Sequence, residues 1–528
     1  MSLAVAQRRG LRAVGRSWPE RAIGRALLGL MAFIAAAPIL AYVWVALHRV
    51  GYAFELDWME GGSVELAARV AGGHSLYAAP SLHFVGWTYT PLYYWISAAL
   101  GQITGVGFLP LRLVSLAASL ISMATLAWVV TRETGEWLAG LVSAGLFAAS
   151  FRISGAWFDT GRVDSLFLAL SLVTLAWGAR ARGVRGGLGL GLLVFLAFFT
   201  KQIAVVALLP VIGYLLLVRP RVAITAVLTL LGLLVASTLA LDGLTDGWYR
   251  YYVFDELAHQ PWAKQVWIQF WSNDVIGHQW PLLLVLFVAG AVRVRAGSVA
   301  SLSGVRRGAL TTALGWREVY WMAGAAGLIG AAWISRLHTG GYANVLMPAY
   351  AAFALLAGLA GSRLWRGSRR RLTAVLLCAA LVLQVGLLRY PLSAQIPTTA
   401  QEAAGLPLIS ALRELPANVL VLRHPWYATE AGKGSFAQAE AISDVLRSGS
   451  PRGRQVLQDA LGDALNADHI EAVVLDGGFD AHFFRTQLAR DFRLVGRPIT
   501  RARLYPLTDV RTAPTLLYVR IHPGEFAR

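Results

Sequence analysis

The chain has 528 residues, of which 56% are hydrophobic and 14% charged, whereas soluble domains carry roughly 25% charged residues; a fully water-soluble protein is excluded, and lipid must solvate much of the surface. A formal net charge of +18 would suit nucleic acid, but the basic residues form short clusters between long apolar runs, a membrane pattern that excludes nucleic acid as a partner. The lone cysteine, Cys378, sits inside an apolar run and excludes an internal disulfide or a cysteine zinc site.

A bilayer core of about 30 Å needs roughly 20 helical residues per crossing. Runs approaching that length lie near 25–48, 110–130, 138–154, 163–180, 187–201, 203–218, 222–241, 279–293, 318–334, 343–361 and 372–389, about eleven helices in all. Residues 1–24 form a basic, cytoplasmic N-terminus with Arg8, Arg9, Arg12, Arg16 and Arg21, ahead of a first run that reads as a retained signal anchor. The threading places Arg132, then Arg180, Arg182 and Arg185, then Arg219 and Arg221, then the 294–317 loop with Arg306 and Arg307, then Arg363 to Arg371 on the same cytoplasmic side. That is the asymmetry expected because Lys and Arg in short loops resist translocation.

Pro91 to Phe108 is apolar enough to pass for a further crossing, yet as one it would move every later basic cluster outside. It is therefore expected to lie in the outer interface, its aromatic start (Trp87, Tyr89, Tyr93, Tyr94, Trp95) at headgroup level. The transmembrane domain spans 25–390, with outer loops at 49–109 and 242–279. The fold class is an all-α polytopic membrane domain followed by a small extracytoplasmic α/β domain, 391–528. Strands are expected at Asn418–Arg423, Glu471–Asp476 and Leu516–Ile521, and helices near 435–447 and 453–466.

Ionisable groups gather where the threading reaches the outer face. The first loop carries Glu55, Asp57, Glu60 and Glu65, then Arg69, within a short stretch. Each acid alone reads as a solvated or helix-capping group; the cluster points to a substrate path, because juxtamembrane carboxylates are costly. Asp159, Arg162 and Asp164 stand at the next outer junction, where a structural ion pair at a helix start is the plain alternative. Lys201, in the Thr200-Lys201 break, is one of few lysines in a chain that otherwise uses arginine; a snorkelling side chain is its plain alternative. Arg336, His338, Tyr342 and Asn344 add a cation, an imidazole and an amide.

The acidic first loop, the Gly72-Gly73 then Tyr77 step, the Thr90-Pro91-Leu92-Tyr93-Tyr94-Trp95 run, the helix-opening Arg112, the Asp-bearing 159–164 junction and the Thr200-Lys201 break together resemble the GT-C superfamily of membrane glycosyltransferases. The likeness is greatest to bacterial relatives of the protein mannosyltransferases and the aminoarabinose transferase. It covers approximately residues 25–220, by order and topology rather than by a strict motif. It implies transfer of a sugar from a polyprenyl-phosphate donor to an acceptor on the extracytoplasmic side of a bacterial inner membrane.

Such chemistry needs a carboxylate to take the acceptor hydroxyl's proton and cations to hold the departing phosphate. In the superfamily the first-loop acid lies nine residues before an arginine, which favours Glu60 ahead of Arg69 as the base. The Asp57-Trp-Met-Glu60 arrangement departs from the usual pattern and keeps Asp57 as the second candidate. Arg162, Lys201 and Arg336 are assigned to the donor phosphate, and Asp159, Asp164, His338, Tyr342, Asn344, Tyr89 and Tyr93 to substrate. A divalent metal is compatible with such sites, and no ligand spacing demands one. In the tail, Arg423-His424-Pro425-Trp426-Tyr427 reads as an acceptor site or, more simply, a stabilising cap. Gly432-Lys433-Gly434-Ser435 lacks phosphate-loop spacing. A transporter or flippase for a lipid-linked substrate, which would show an inverted repeat, and a non-catalytic envelope-assembly protein remain the alternatives.

Overall fold

The structure, a computed structural model, describes residues 18–302, 315–366, 370–477, 480–496, 504–508 and 510–522. Arg8 to Arg16, Arg306, Arg307 and Arg369 of the expected basic clusters lie outside these residues. Every apolar run becomes a helix. In chain order they are α1 (Trp18–Arg49), α2 (Glu60–Ala71) and α3 (Leu92–Thr104), then α4 (Phe108–Thr134), α5 (Trp137–Ala149) and α6 (Asp164–Gly178). They continue as α7 (Gly183–Phe198), α8 (Ala204–Val218), α9 (Pro220–Leu244), α10 (Gly277–Leu302), α11 (Trp316–Leu337), α12 (Met347–Trp365) and α13 (Arg370–Leu387).

Five of these stretches are long and apolar enough to cross a bilayer: Gly24–Arg49, Phe108–Thr134, Pro220–Leu244, Val266–Arg295 and Ala343–Trp365. Four apolar helices, α5 to α8, have 13 to 16 residues and rise only about 20 to 24 Å at ~1.5 Å per residue. The chain is a multi-pass membrane protein, and the count of about eleven crossings is an expectation beyond these lengths. The fourth span starts well inside the expected 242–279 loop, because Val266, Trp267, Ile268, Phe270 and Trp271 carry the helical, apolar pattern back from Gly277.

Local signals set the helix ends. Gly135 closes α4 in the left-handed conformation at φ 71°, returning its N–H to Thr131 O. Pro220 opens α9 at its first turn, where a missing N–H costs nothing. The central helix is α12: 89% of the Ala343–Trp365 window is buried, against 17% for Gly24–Arg49 and Pro220–Leu244. Side chains such as Leu217, Leu239 and Phe287 face outward, which suits lipid and not water. Close helix approach uses small residues: a Cβ on Gly145 of α5 would fall 2.1 Å from Ala35 O of α1.

The connections sort to two ends of the bundle. One end gathers residues 50–107, 150–163, 199–203, 245–276, 338–346 and the described residues after Leu387; the other holds the short turns at 135–136, 179–182 and 219, the last two bearing arginine. α3 has 13 residues and packs on α2 and α4. Of its aromatic start, Trp95 is exposed while Trp87, Tyr93 and Tyr94 are buried in protein, not spread at a surface.

The tail forms a four-stranded sheet in the order β1 (Val419–Val421), β2 (Ala472–Leu475), β4 (Leu516–Arg520), β3 (Phe492–Gly496). β1 and β2 are parallel and the other pairings antiparallel. Three of these strands fall where the sequence predicts them; β3 does not. Helices α14 (Thr399–Glu414, opened by a Thr398/Gln401 capping box), α15 (Pro425–Glu430), α16 (Ala439–Arg447) and α17 (Pro451–Leu461) cover the sheet. The tail's apolar residues belong to the same core as the first loop: Phe54 meets Tyr427 edge-on with ring centroids 6.0 Å apart.

Candidate active site

Buried charge organises the first loop. Arg112, in the first turns of α4, donates from Nε to Glu60 Oε1 at 2.9 Å and from Nη2 to Glu60 Oε2 at 2.8 Å, with neither side chain exposed. The same guanidinium donates to the carbonyls of Tyr52 and, at 2.6 Å, Phe54. Glu60 also accepts from Leu56 N at 2.8 Å and Gly161 N at 2.7 Å. Burial alone would raise the Glu60 pKa, but Arg112 and these N–H groups outweigh it and hold the carboxyl below its ordinary value. Its lone pairs are spent on structure.

Asp57 sits one turn earlier, fully buried, with Oδ2 4.0 Å from Nη1 of Arg162. Its backbone is fixed from two sides. Glu60 N donates to Asp57 O at 2.9 Å, and Thr508, from the far tail, donates its N–H and its hydroxyl to Leu56 O at 2.8 and 2.9 Å. Trp157 Nε1 donates to the Thr508 hydroxyl at 3.0 Å.

Arg162 is the central cation. It is 3% exposed, its guanidinium lies 5.2 Å from the ring centroids of both Trp87 and Trp157, and its Nε and Nη1 find no hydrogen-bond partner among the described residues. Buried guanidinium donors without a hydrogen bond are expensive, so the position favours an anion. Lys201, in the turn between α7 and α8, donates to Asp164 Oδ1 at 2.6 Å, and Asn344 donates to Asp164 Oδ2 at 2.9 Å. Arg162, Lys201, Tyr89, His338 and Tyr342 line one cavity of about 320 Å³. An antiparallel bridge between two segments of the chain shapes one wall: Ala263 N donates to Leu337 O at 2.6 Å and Thr339 N to Pro261 O at 3.0 Å, with Trp262 tilted over His338 at 4.7 Å.

The remaining residues singled out in the sequence stand elsewhere. Asp159 is paired with Arg49, through Nε at 2.8 Å and Nη2 at 2.6 Å, in a wholly buried fork. Arg336 is bonded to Asp274 at 3.0 Å and to Gly341 O. Tyr93 donates to Leu111 O at 2.9 Å and lies 2.9 Å from the Ser115 hydroxyl, fully buried. None of these three lines the cavity, and Asp57, Asp164 and Asn344 stand behind its lining, against Arg162 and Lys201. Among the described residues no group of three His, Cys, Asp or Glu converges to hold a metal ion.

Sequence reasoning missed the tail's acids at the cavity, while His424 was singled out without its partners. Glu440 and Asp444 of α16, with Gln260, complete the cavity from the tail side; no local pattern announces them. His424 bridges two acids, with Nδ1 on Glu55 Oε2 and Nε2 on Asp476 Oδ2 at 2.8 Å. The Arg423–Tyr427 segment thereby docks on the first loop. Burial pushes the Glu55 pKa up to about 7 against the opposing pull of His424. For His424 burial opposes the charge, but Asp476 and Glu55 outweigh it and raise the pKa to about 10.

Comparison with known proteins agrees with this arrangement at the level of fold. The family model of dolichyl-phosphate-mannose-protein mannosyltransferases matches residues 88–241. ArnT from Cupriavidus metallidurans, in a crystal structure bound to undecaprenyl phosphate, superposes with a TM-score of 0.57 at 11% identity, covering 95% of this chain and 99% of that one. Its apo structure gives a TM-score of 0.56 at 13% identity, covering 92% and 98%. No curated protein matches the chain in sequence.

Proposed function

We propose that this chain, whose fold is that of the GT-C superfamily of membrane glycosyltransferases, transfers a sugar from a polyprenyl-phosphate donor to an acceptor at the extracytoplasmic face of a bacterial inner membrane. The carrying observation is that Arg162 and Lys201, from separate helix ends, line one cavity, with two Arg162 donors unpartnered and Asp57 4.0 Å away. In this reading the two cations receive the phosphate of the lipid-linked donor, whose chain runs into the bilayer beside the bundle. ArnT of the same fold, seen with undecaprenyl phosphate, supports a carrier of that class here.

The reaction is an inverting displacement. The acceptor hydroxyl oxygen attacks the anomeric carbon, the carbon–oxygen bond to phosphate breaks with its electron pair leaving on phosphate, and the hydroxyl proton passes to a carboxylate. Asp57 is the proposed base, because Glu60 is locked by Arg112 and two backbone N–H groups. The growing negative charge on phosphate is met by Arg162 and Lys201, and Asp164 and Asn344 orient Lys201.

The test is to incubate the purified, membrane-reconstituted protein with a panel of polyprenyl-phosphate sugars and follow donor consumption and release of polyprenyl phosphate. Consumption of one donor, abolished by Asp57→Asn, supports the reading. Retained turnover in Asp57→Asn would remove Asp57 as the base, and turnover of no donor would overturn sugar transfer.

A further inference from the structure

At the end of the bundle remote from Arg162 and Lys201, two adjoining cavities share Arg182. One, of about 470 Å³, is framed by Arg182 and Gly183 at the start of α7 and by Arg219, Pro220 and Arg221 at the start of α9. The other, of about 660 Å³, is an apolar groove between α4 and α6, walled by Ile121, Trp128, Val173 and Trp177. Its indoles are held in place: Trp177 donates to Gly186 O at 3.1 Å, and the Arg180 guanidinium lies 4.3 Å from the Trp128 ring centroid. Among the described residues no Asp or Glu lines either cavity. Glu133 stands outside both, 3.9 Å from Arg180 and 3.5 Å from Arg317. Arg219 donates to the carbonyls of Ala179 and Ala181 at 3.3 and 2.9 Å, which ties the turn before α7 to the turn before α9. Arg182 and Arg221 stay exposed. Neither α7 nor α9 has an acid in its first turn or a side-chain cap, so the positive ends of both helices add to the field of the arginines.

We propose that this cradle binds one anionic glycerophospholipid from the leaflet at that end, its phosphate held by Arg182 and Arg221 and an acyl chain laid in the groove between Trp128 and Trp177. Charge complementarity selects the occupant: a basic pocket between membrane helices that opens onto an apolar groove matches a molecule anionic at its head and apolar in its tail. A zwitterionic lipid brings its own cation to arginines with no acid in the cavity to receive it. A soluble phosphate leaves the indole-walled groove to water. The site lies apart from the cavity of Arg162 and Lys201 and stands independently of the sugar-transfer reading.

The test uses the full-length protein purified in detergent, with phosphatidylglycerol, phosphatidylcholine and glycerol 3-phosphate as probes, and reads binding by native mass spectrometry and stability by melting temperature. Wild type should bind phosphatidylglycerol about tenfold tighter than phosphatidylcholine or better, and its melting temperature should rise with phosphatidylglycerol and not with glycerol 3-phosphate. Arg182→Gln with Arg221→Gln should lower phosphatidylglycerol affinity by about tenfold or more. Ile121→Trp, which fills the groove from an exposed position and leaves every arginine in place, should lower it several-fold and guards against misfolding of the double variant. Equal binding of the two lipids by wild type, or phosphatidylglycerol affinity unchanged in either variant, would overturn the proposal. Glycerol 3-phosphate matching the effect of the lipid would overturn it too, by making the basic cavity a site for a soluble anion.

Discussion

Glu60 and Arg112 close a two-bond fork at 2.9 and 2.8 Å, with both side chains wholly removed from solvent. This pair, 52 residues apart in the chain, fastens the first loop to the start of α4 and so determines where Asp57 stands.

The two acids of the loop should therefore fail differently. Glu60→Gln leaves Arg112 with an uncompensated buried charge, a loss of about 3 to 5 kcal/mol, visible as lower yield and a lower melting temperature in detergent. Asp57→Asn should keep the melting temperature within a few degrees and reduce donor consumption by at least about 100-fold. Equal stability losses in the two variants would count against the division of roles.

Arg162→Ala and Lys201→Met should both weaken donor handling. Arg162 should cost more, about 100-fold in kcat/KM or above, since truncation removes a buried guanidinium aimed at developing charge. Binding of undecaprenyl phosphate, followed by tryptophan fluorescence given Trp87 and Trp157 beside Arg162, should fall in parallel. Unaltered binding in both variants would detach these cations from phosphate.

Asp159→Asn should act on stability, because it strips Arg49 of its buried carboxylate fork. A loss of about 3 kcal/mol or more is expected, read by thermal unfolding. Loss of activity with unchanged unfolding would return Asp159 to a substrate role.

The Glu55–His424–Asp476 network gives a pH signature. Both Glu55, raised to about 7, and His424, raised to about 10, bind protons more tightly folded than unfolded. Stability linked to them is full at low pH and is lost as pH rises, first between about 4.5 and 7 for Glu55 and then between about 6.5 and 10 for His424. Limited proteolysis between the first loop and the tail should accelerate above pH 8 in wild type. In His424→Gln the upper part of that pH dependence should vanish; a pH profile identical to wild type would discount the network.

The helices could be read from sequence because lipid imposes a length and a composition on each of them, and all eleven apolar runs became helices. Arg162 and Lys201 were legible for a related reason: a charged group at the end of an apolar run needs a purpose. The Arg112 fork on Glu60 was not, because spacing to Arg69 says nothing of an arginine on another helix. The partner of Asp159 lies 110 residues upstream, beyond any local pattern. β3 was missed because Arg493 interrupts its short apolar run. The two acids that reach the cavity from the tail stand on a helix whose amphipathic pattern looks like that of any surface helix.

Thr508 meets Leu56 across 452 residues of chain, and this fixes an order of events in biosynthesis. The helical bundle can insert while the ribosome is still working, yet the loop that carries Asp57 gains its Thr508 anchor only after residue 508 has been translated. A chain clipped before Thr508 would keep its helices and lose this tie on the Asp57 loop.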